Sequence, residues 1–279
     1  MTKMLKKSKT LNCRGRLVVI ERPLVMGILN LTPDSFFDGG KYNEVDAAVK
    51  RAEQMLEEGA DILDLGAYSS RPGAEHISEK EEMQRMIPAL EEIVKRFPDA
   101  LISIDTFRSG VAEKALEAGA HIINDISGGN LDEQLPLVAA KYSAPYICMH
   151  MKGTPQTMQQ NLKQEPIMPE VLSFFAHRVP KLIEQGLKDV IIDPGFGFGK
   201  TLEQNYEMVE HLSDFAILGK PILVGVSRKS MIKKKYGESP EQTLQGTMEV
   251  NRQLILNGAD ILRVHDVAEA SELVNTNEA

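Results

Sequence analysis

Short apolar runs alternate along this chain with longer stretches of helical spacing. The runs fall at residues 25–29, 62–65, 101–104, 122–123, 146–149, 190–192, 222–225 and 261–262. Each leads into polar or small residues: Asn30, Gly66, Asp105, Asn124, His150, Asp193, Ser227-Arg228-Lys229 and Arg263-Val264-His265. Between the runs, Val45, Ala48, Val49, Ala52 and Leu56 recur at three and four, as do Met83, Met86, Ile87, Leu90, Ile93, Val94 and Phe97. That is the spacing of amphipathic helices. Gly59, Gly119 and Gly258 each stand just before a run, where a left-handed residue closes a helix and returns the chain to a sheet. Alternating strand and helix signals predict an α/β protein with parallel strands and right-handed crossovers. Eight such units favour a closed (β/α)8 TIM barrel over an open sheet. A barrel carries its chemistry at the carboxyl ends of its strands, so one pattern proposes the fold and the site together.

The first 23 residues stand outside this repeat. Residues 17–20 read as an extra strand, half of a β-hairpin covering the barrel floor, with the barrel itself spanning residues 24–275. With 279 residues, the chain is close to the roughly 250 of one such barrel, and a single domain is expected. Two long connections, residues 32–43 and 66–78, follow strands, carry Pro or Gly, and read as lids over the mouth.

Composition narrows the function. Hydrophobic residues make up 42%, which excludes a disordered chain. No run approaches the roughly 20 apolar residues of a membrane span. The basic start, residues 1–10, lacks the apolar stretch of a signal peptide. Cys13 and Cys148 make neither a disulfide framework nor a metal spacing, and read as reduced thiols in a cytoplasmic protein. A net charge of −8 argues against nucleic acid as a partner, while leaving room for a local basic pocket.

Several strand ends offer chemistry. Asp105, Asn124 and Asp193 would present two carboxylates and an amide to one cavity. That set suits a flat heterocycle with both N–H donors and carbonyl acceptors. Either aspartate alone is more often a helix cap than a ligand, and it is their joint placement that favours a ligand. Arg263 and His265 alternate onto one side of the eighth strand and suit a phosphate or diphosphate; the competing reading is a structural arginine paired with an acid. Asn30 can offer Mg²⁺ an amide oxygen or can simply be a turn residue. Ser227-Arg228-Lys229-Ser230 opens a short helix, with Lys229 read as inward and Lys233, Lys234 and Lys235 as surface. The glycine-rich run Asp193-Pro194-Gly195-Phe196-Gly197-Phe198-Gly199-Lys200 is either a close approach to a ligand or a tight turn. His150 has no partner at metal-ligand spacing and reads as structural.

Eight segments, in order, resemble the dihydropteroate synthase family from about residue 24 to 267. They are Met26-Gly27-Ile28-Leu29-Asn30-Leu31-Thr32-Pro33-Asp34-Ser35-Phe36, Ser70-Arg71-Pro72-Gly73-Ala74, Ser103-Ile104-Asp105-Thr106, Ile123-Asn124-Asp125-Ile126, Met149-His150-Met151-Lys152-Gly153-Thr154-Pro155, the glycine-rich run above, Ser227-Arg228-Lys229-Ser230 and Arg263-Val264-His265-Asp266-Val267. The resemblance implies a transferase of folate biosynthesis. It would join 6-hydroxymethyl-7,8-dihydropterin diphosphate to 4-aminobenzoate, giving 7,8-dihydropteroate and diphosphate. By matching position, Asp105, Asn124, Asp193 and Lys229 would hold the pterin, with Ser70 contacting the pterin diphosphate. Arg71, Arg263 and His265 would grip the diphosphate, and Asn30 would bind Mg²⁺. Phe198, Lys229 and Ser230 would border the aminobenzoate. Asp105, Lys229, Arg263 and His265 are the expected catalytic set. The resemblance also implies a homodimer through outer helices and a sulfonamide target. The chain departs from the family pattern in its second loop, where Gly66-Ala67-Tyr68-Ser69-Ser70-Arg71 stands for the usual Gly-Gly-Glu-Ser-Thr-Arg, and at Phe37, which replaces a common serine.

The electrophile would be a methylene on an electron-rich ring, so an SN1-like path is expected, with anion donors at one end of the site and carboxylates at the other. Two rivals share the barrel: a corrinoid-type pterin methyltransferase, which needs no Arg263, His265 or Lys229, and a non-catalytic pterin-binding barrel, which needs no intact charged set.

Overall fold

The chain runs β1 (Lys9–Cys13), β2 (Arg16–Ile20), β3 (Leu24–Asn30), α1 (Lys41–Glu57), β4 (Ile62–Gly66), α2 (Glu79–Arg96), β5 (Leu101–Asp105), α3 (Ser109–Glu117), β6 (Ile122–Asp125) and α4 (Leu135–Lys141). It continues through β7 (Tyr146–Met149), α5 (Met168–Glu184), β8 (Val190–Asp193), α6 (Leu202–Glu210), a 3-10 segment (Leu212–Leu218), β9 (Leu223–Val224), α7 (Ser230–Tyr236), α8 (Pro240–Leu256), β10 (Ile261–Val264) and α9 (Val267–Thr276). This computed structural model describes residues 9–31, 41–69, 76–154, 158, 162 and 164–276, with residues 41–43 described by backbone only. Eight parallel strands pair in the order β8-β7-β6-β5-β4-β3-β10-β9. A parallel bridge between Ile192 and Ile222 brings the two ends together, with Ile192 N–H donating to Pro221 O at 3.0 Å. The (β/α)8 TIM barrel expected from the pattern is the observed architecture.

Period two along each strand divides inside from outside. The outward positions Val25, Leu63, Leu65, Ile102, Ile104, Ile123, Ile192 and Leu262 belong to the large cluster shared with the helices. The inward positions Met26, Ile62, Leu101, Ile122, Ile147, Ile191, Leu223 and Ile261 form a second cluster that fills the lower barrel. One step further along the same inward face come Ile28, Asp64, Ser103, Asn124, Asp193 and Arg263, and then Asn30, Gly66, Asp105 and His265. The interior is therefore apolar below and polar above, by alternation alone.

The lower cluster is completed by Leu11, Cys13 and Ile20 of the β1–β2 hairpin. This hairpin turns at Arg14 and Gly15, whose φ values of 56° and 98° suit a two-residue primed turn. Polar contacts dock it. Lys9 Nζ meets Asp260 at 2.6 Å, the Asn12 N–H donates to Asp189 at 3.1 Å, and Arg14 Nη1 donates to the Leu116 and Ala120 carbonyls at 2.7 and 2.6 Å. The floor hairpin expected from residues 17–20 is thus present, beginning earlier at Lys9.

Gly59, Gly119 and Gly258 take φ of 96°, 108° and 98° at helix ends, as their placement predicts. Two boundaries differ from expectation. α1 begins at Lys41, so the first long connection is shorter than residues 32–43; its opening turn precedes Val45, the first inward position that marks the helix in sequence. β9 is only Leu223–Val224, and just before it the Asp260 carboxylate takes the Ile222 N–H at 2.7 Å. Among the described residues, no helix is long and apolar enough to cross a membrane.

Leu11 is 1% exposed in the plug, so Leu11→Ala should lower unfolding free energy by about 3 kcal/mol through lost burial and a residual cavity. The polar end of the barrel lies opposite, so turnover at 25 °C should be unchanged. A urea midpoint equal to that of the unsubstituted chain would show that the hairpin is not part of the cooperative core.

Candidate active site

The polar layer begins with a charge array inside the barrel. Asp64, fully buried at the second inward position of β4, accepts from Arg263 Nε at 2.6 Å and from Asn124 Nδ2 at 3.0 Å. Arg263 Nη2 reaches Asp105 at 2.6 Å. Arg263 is thus shared between two carboxylates, while its Nη1 makes no hydrogen bond among the described residues. The structure shows the competing reading of this arginine, paired with acids, with Nη1 left over. Burial pushes the Asp105 carboxyl up to about 7; Arg263 works against this, while the charges of Asp64, Glu82 and Asp125 add to it.

Across the barrel, β8 ends at Asp193, which accepts the Gly195 N–H at 2.7 Å and is 6% exposed. Burial raises its carboxyl, opposed by Lys229, the Gly195 N–H, Arg263 and Lys200. The glycine-rich run that follows is rigidly held. A Cβ on Gly195 would overlap the His150 carbonyl oxygen, so only glycine fits there. Lys200 is 3% exposed and donates to the His150, Gly195 and Phe198 carbonyls at 3.2, 2.9 and 3.1 Å. Asn205 takes the Gly197 N–H at 2.6 Å. This frame sets Phe198 beneath Lys229, whose Nζ lies 4.6 Å from the ring centroid and donates to Phe196 O at 2.7 Å. Burial pulls the Lys229 ammonium down to about 8, resisted by Asp193 and Asp105.

Lys229 reaches this position through a strained turn. Arg228 has φ of 56°, an uncommon conformation for a residue with a side chain. It is held by a two-point pair with Asp266 at 2.9 and 2.5 Å and by Thr247 on its N–H at 3.2 Å. Ser230 opens α7 and is exposed, as are Lys233, Lys234 and Lys235. His265 sits beside Ser227, with Nδ1 3.1 Å from the Ser227 hydroxyl. Asn30, at the third inward position of its face above Met26, makes no side-chain hydrogen bond among the described residues.

Ser70 and Arg71 lie outside the described residues, as do residues 32–40 of the first connection. The second connection is anchored on both sides of that stretch. Tyr68 packs edge-on against Phe107 at 5.0 Å, and its hydroxyl lies 3.2 Å from His76 Nδ1. Arg108 lies 5.5 Å from the Tyr68 centroid and donates to buried Glu82 at 2.6 Å and to Ile77 O at 2.7 Å. The departure at Tyr68 therefore has a local partner set. His150 is 4% exposed, stacks edge-on with Phe174 at 5.1 Å, and is pushed down to about 3 by burial and by Lys200 and Lys152. Its imidazole stays neutral, and its carbonyl serves the Lys200 frame.

Sequence reasoning passed over Asp64, Lys200 and Glu82. Asp64 carried a readable signal: a carboxylate inside Ile62-Leu63-Asp64-Leu65, on the inward phase of an otherwise apolar strand, must find a partner. Lys200 and Glu82 carried none, since their partners are main-chain carbonyls and a side chain 26 positions away.

The family described as "Pterin binding enzyme" matches residues 26–265. The dihydropteroate synthase of Synechocystis sp. is 43% identical over 262 residues, covering 93% of this chain and 90% of that protein. The solved structure of Xanthomonas albilineans dihydropteroate synthase with 4-aminobenzoic acid superimposes with a TM-score of 0.90 at 37% identity, covering 97% of each chain. That of Yersinia pestis dihydropteroate synthase in a sulfonamide drug complex gives 0.88 at 41% identity, covering 97% of this chain and 98% of that one. The chain belongs to the pterin-binding enzymes and, within them, to the dihydropteroate synthases, transferases of folate biosynthesis.

Proposed function

We propose that this chain condenses 6-hydroxymethyl-7,8-dihydropterin diphosphate with 4-aminobenzoate, releasing diphosphate and forming 7,8-dihydropteroate. The observation that carries the reading is the polar upper layer of the barrel. Asp105, Asp193 and Asn124 offer a carboxylate–amide frame for a heterocycle, and the Arg263, His265 and Lys229 positions supply donors for an anion beside it. Two carboxylates and an amide match the N–H and carbonyl edges of a pterin.

Diphosphate leaves from a methylene whose ring can share positive charge, so the C–O bond would break ahead of full attack by the amine. Asp105 and Asp193 would stabilise the charge developing on the ring. Arg263 Nη1, His265 and Arg71 would take the charge developing on the leaving oxygens. Electrostatics fixed in advance in this way can lower a barrier more than any other single effect. The arylamine is already nucleophilic, so no strong base is required; neutral His150 fits that economy. Phe198, Lys229 and Ser230 would border the aminobenzoate, with Ser70 on the pterin diphosphate.

Mg²⁺ fits the residues present. Asn30 offers an amide with no protein partner among the described residues, and no group of three or more His, Cys, Asp or Glu able to hold a metal exists among them. A cation that keeps its waters and leans on substrate phosphates needs only such a single protein oxygen. When bound, it would neutralise the diphosphate.

Purified chain supplied with pterin diphosphate, Mg²⁺ and 4-aminobenzoate should release diphosphate and form dihydropteroate in equal amounts. A sulfonamide should inhibit in competition with 4-aminobenzoate, as the complex known for the Yersinia pestis enzyme suggests. Absence of dihydropteroate would overturn the reading.

Asp193→Asn keeps the acceptor for Gly195 but loses the charge. It should raise the KM for pterin diphosphate by about 10–100-fold, equivalent to the 1.5–3 kcal/mol of one charged hydrogen bond. Unchanged pterin affinity by calorimetry would remove Asp193 from the site.

Asp105 acts as an anion, and its carboxyl titrates at about 7, so protonation removes its charge below that pH. kcat/KM for the pterin should fall as pH drops through about 7, approaching tenfold per unit. A flat profile down to pH about 5 would show that Asp105 is not required ionised.

A further inference from the structure

We propose that Asp64 is the positioning residue of the pterin cavity: it fixes which hydrogen-bonding edge Asn124 presents to the ring and shares Arg263 so that Asp105 stays available to the substrate. The inference rests on the pterin reading above.

The register places Asp64 level with Ile28 on β3 and Ser103 on β5, one inward step below Gly66 and Asp105. Its carboxylate thus forms the floor under the residues proposed to hold the ring. A charge there is unfavourable unless paired, and a well-packed apolar residue at such a position is often at least as stable. The same strand takes that apolar option one inward step lower, at Ile62.

The first effect is on Asn124. A side-chain amide can present either its oxygen or its NH2 to a ligand, and only its partners decide which. Asp64 Oδ2, 3.0 Å from Asn124 Nδ2, accepts only a donor. The amide is therefore oriented with its oxygen away from the carboxylate. With a neutral amide in place of Asp64, both orientations of Asn124 become comparable, and half of its readout of the heterocycle is lost.

The second effect is on Arg263. Its fork is divided, Nε to Asp64 and Nη2 to Asp105, both at 2.6 Å. An arginine facing a single carboxylate closes on it at two points. Asp64 prevents this by holding one edge. It also supplies the charge that balances Arg263, so the charge of Asp105 remains for the ring.

A third observation is the polar capacity left at this floor. Asp64 Oδ1 and Ser103 Oγ are buried and have no protein hydrogen-bond partner among the described residues. The field agrees: Asp64 is one of the anions that raise the Asp105 carboxyl, together with Glu82 and Asp125, against Arg263, with Lys229 also facing it.

Asp64→Asn in the full chain tests this, with Asp64→Ser as the second variant. The KM for pterin diphosphate should rise by about tenfold or more while that for 4-aminobenzoate stays within about twofold. The acid limb of kcat/KM should move to lower pH by about half a unit, since an anion beside Asp105 has gone. An unchanged pterin KM and limb would overturn the proposal, as would a parallel rise in both KM values with an unmoved limb. Should neither variant fold, side-chain amide NMR of the unsubstituted chain decides. Asn124 protons bonded to a carboxylate should be shifted downfield and slow to exchange; free-amide values would overturn the proposal. Failure of the unsubstituted chain to turn over pterin diphosphate would sink the pterin reading, whereas normal turnover with an unaffected Asp64→Asn sinks this inference alone.

Discussion

The upper barrel depends on one arrangement: the Arg263 guanidinium held between the carboxylates of Asp64 and Asp105. Removing such groups from water costs on the order of several kcal/mol per ion before pairing. Nature's simpler solution is the one the lower barrel adopts, with Ile62, Leu101, Ile122, Ile147, Ile191, Leu223 and Ile261 in contact with the hairpin plug. Under the proposed function, the ions above would serve a polar ring that an apolar layer could not bind. The array sets the carboxylates of Asp64, Asp105 and Asp193 beside Arg263 and Lys229, with Lys200 also acting on Asp193. Under the proposed function, those carboxylates would face a ring that gains positive charge as its leaving group departs.

Period-two alternation turns this chemistry into geometry. Most strands contribute an apolar inward residue low down and a polar one higher up, so the floor and the site are built by the same short segments. A register slip of one residue would place Asp64 and Asp105 against the helices and Leu65 and Ile104 in the cavity. From below, Leu11, Cys13 and Ile20 of the plug pack against the inward phase now observed. Stability below and chemistry above are therefore built on the same strands, at opposite ends.

Much of this was legible in the sequence, for reasons that are local. Asp105, Asn124 and Asp193 sit where apolar runs stop, and a strand end inside a barrel has one inward direction, so their convergence follows from phase. Gly59, Gly119 and Gly258 announce helix ends because few other residues adopt their φ. What escaped was set by distant partners. Asp64 lies within a run and not at its end, so a rule that inspects strand ends passes over it; its meaning depends on Arg263, 199 positions away. Lys200 is one more polar residue after a glycine-rich turn until three carbonyls are seen around it. The early start of α1 was invisible because its first turn lies outside the repeating apolar positions. Ser70, Arg71 and the tip of the first connection fall outside the described residues, so the reading of those residues rests on resemblance.

The Lys200 frame shows why the glycine-rich run reads ambiguously as turn or ligand loop. Burial pulls its ammonium down to about 7, yet three carbonyl acceptors surround it, an arrangement only the charged form satisfies completely. The ammonium fixes the main chain on either side of Phe198, and that ring, with the Phe196 carbonyl, seats Lys229. Two of the run's N–H groups are engaged within the protein. Its N–H groups at Gly195 and Gly197 are already taken by Asp193 and Asn205. Glycine serves here because Gly195 must lie against the His150 carbonyl. That contact gives the end of β7 its place: the strand contributes its backbone to hold the neighbouring loop, while its His150 imidazole, neutral, packs on Phe174.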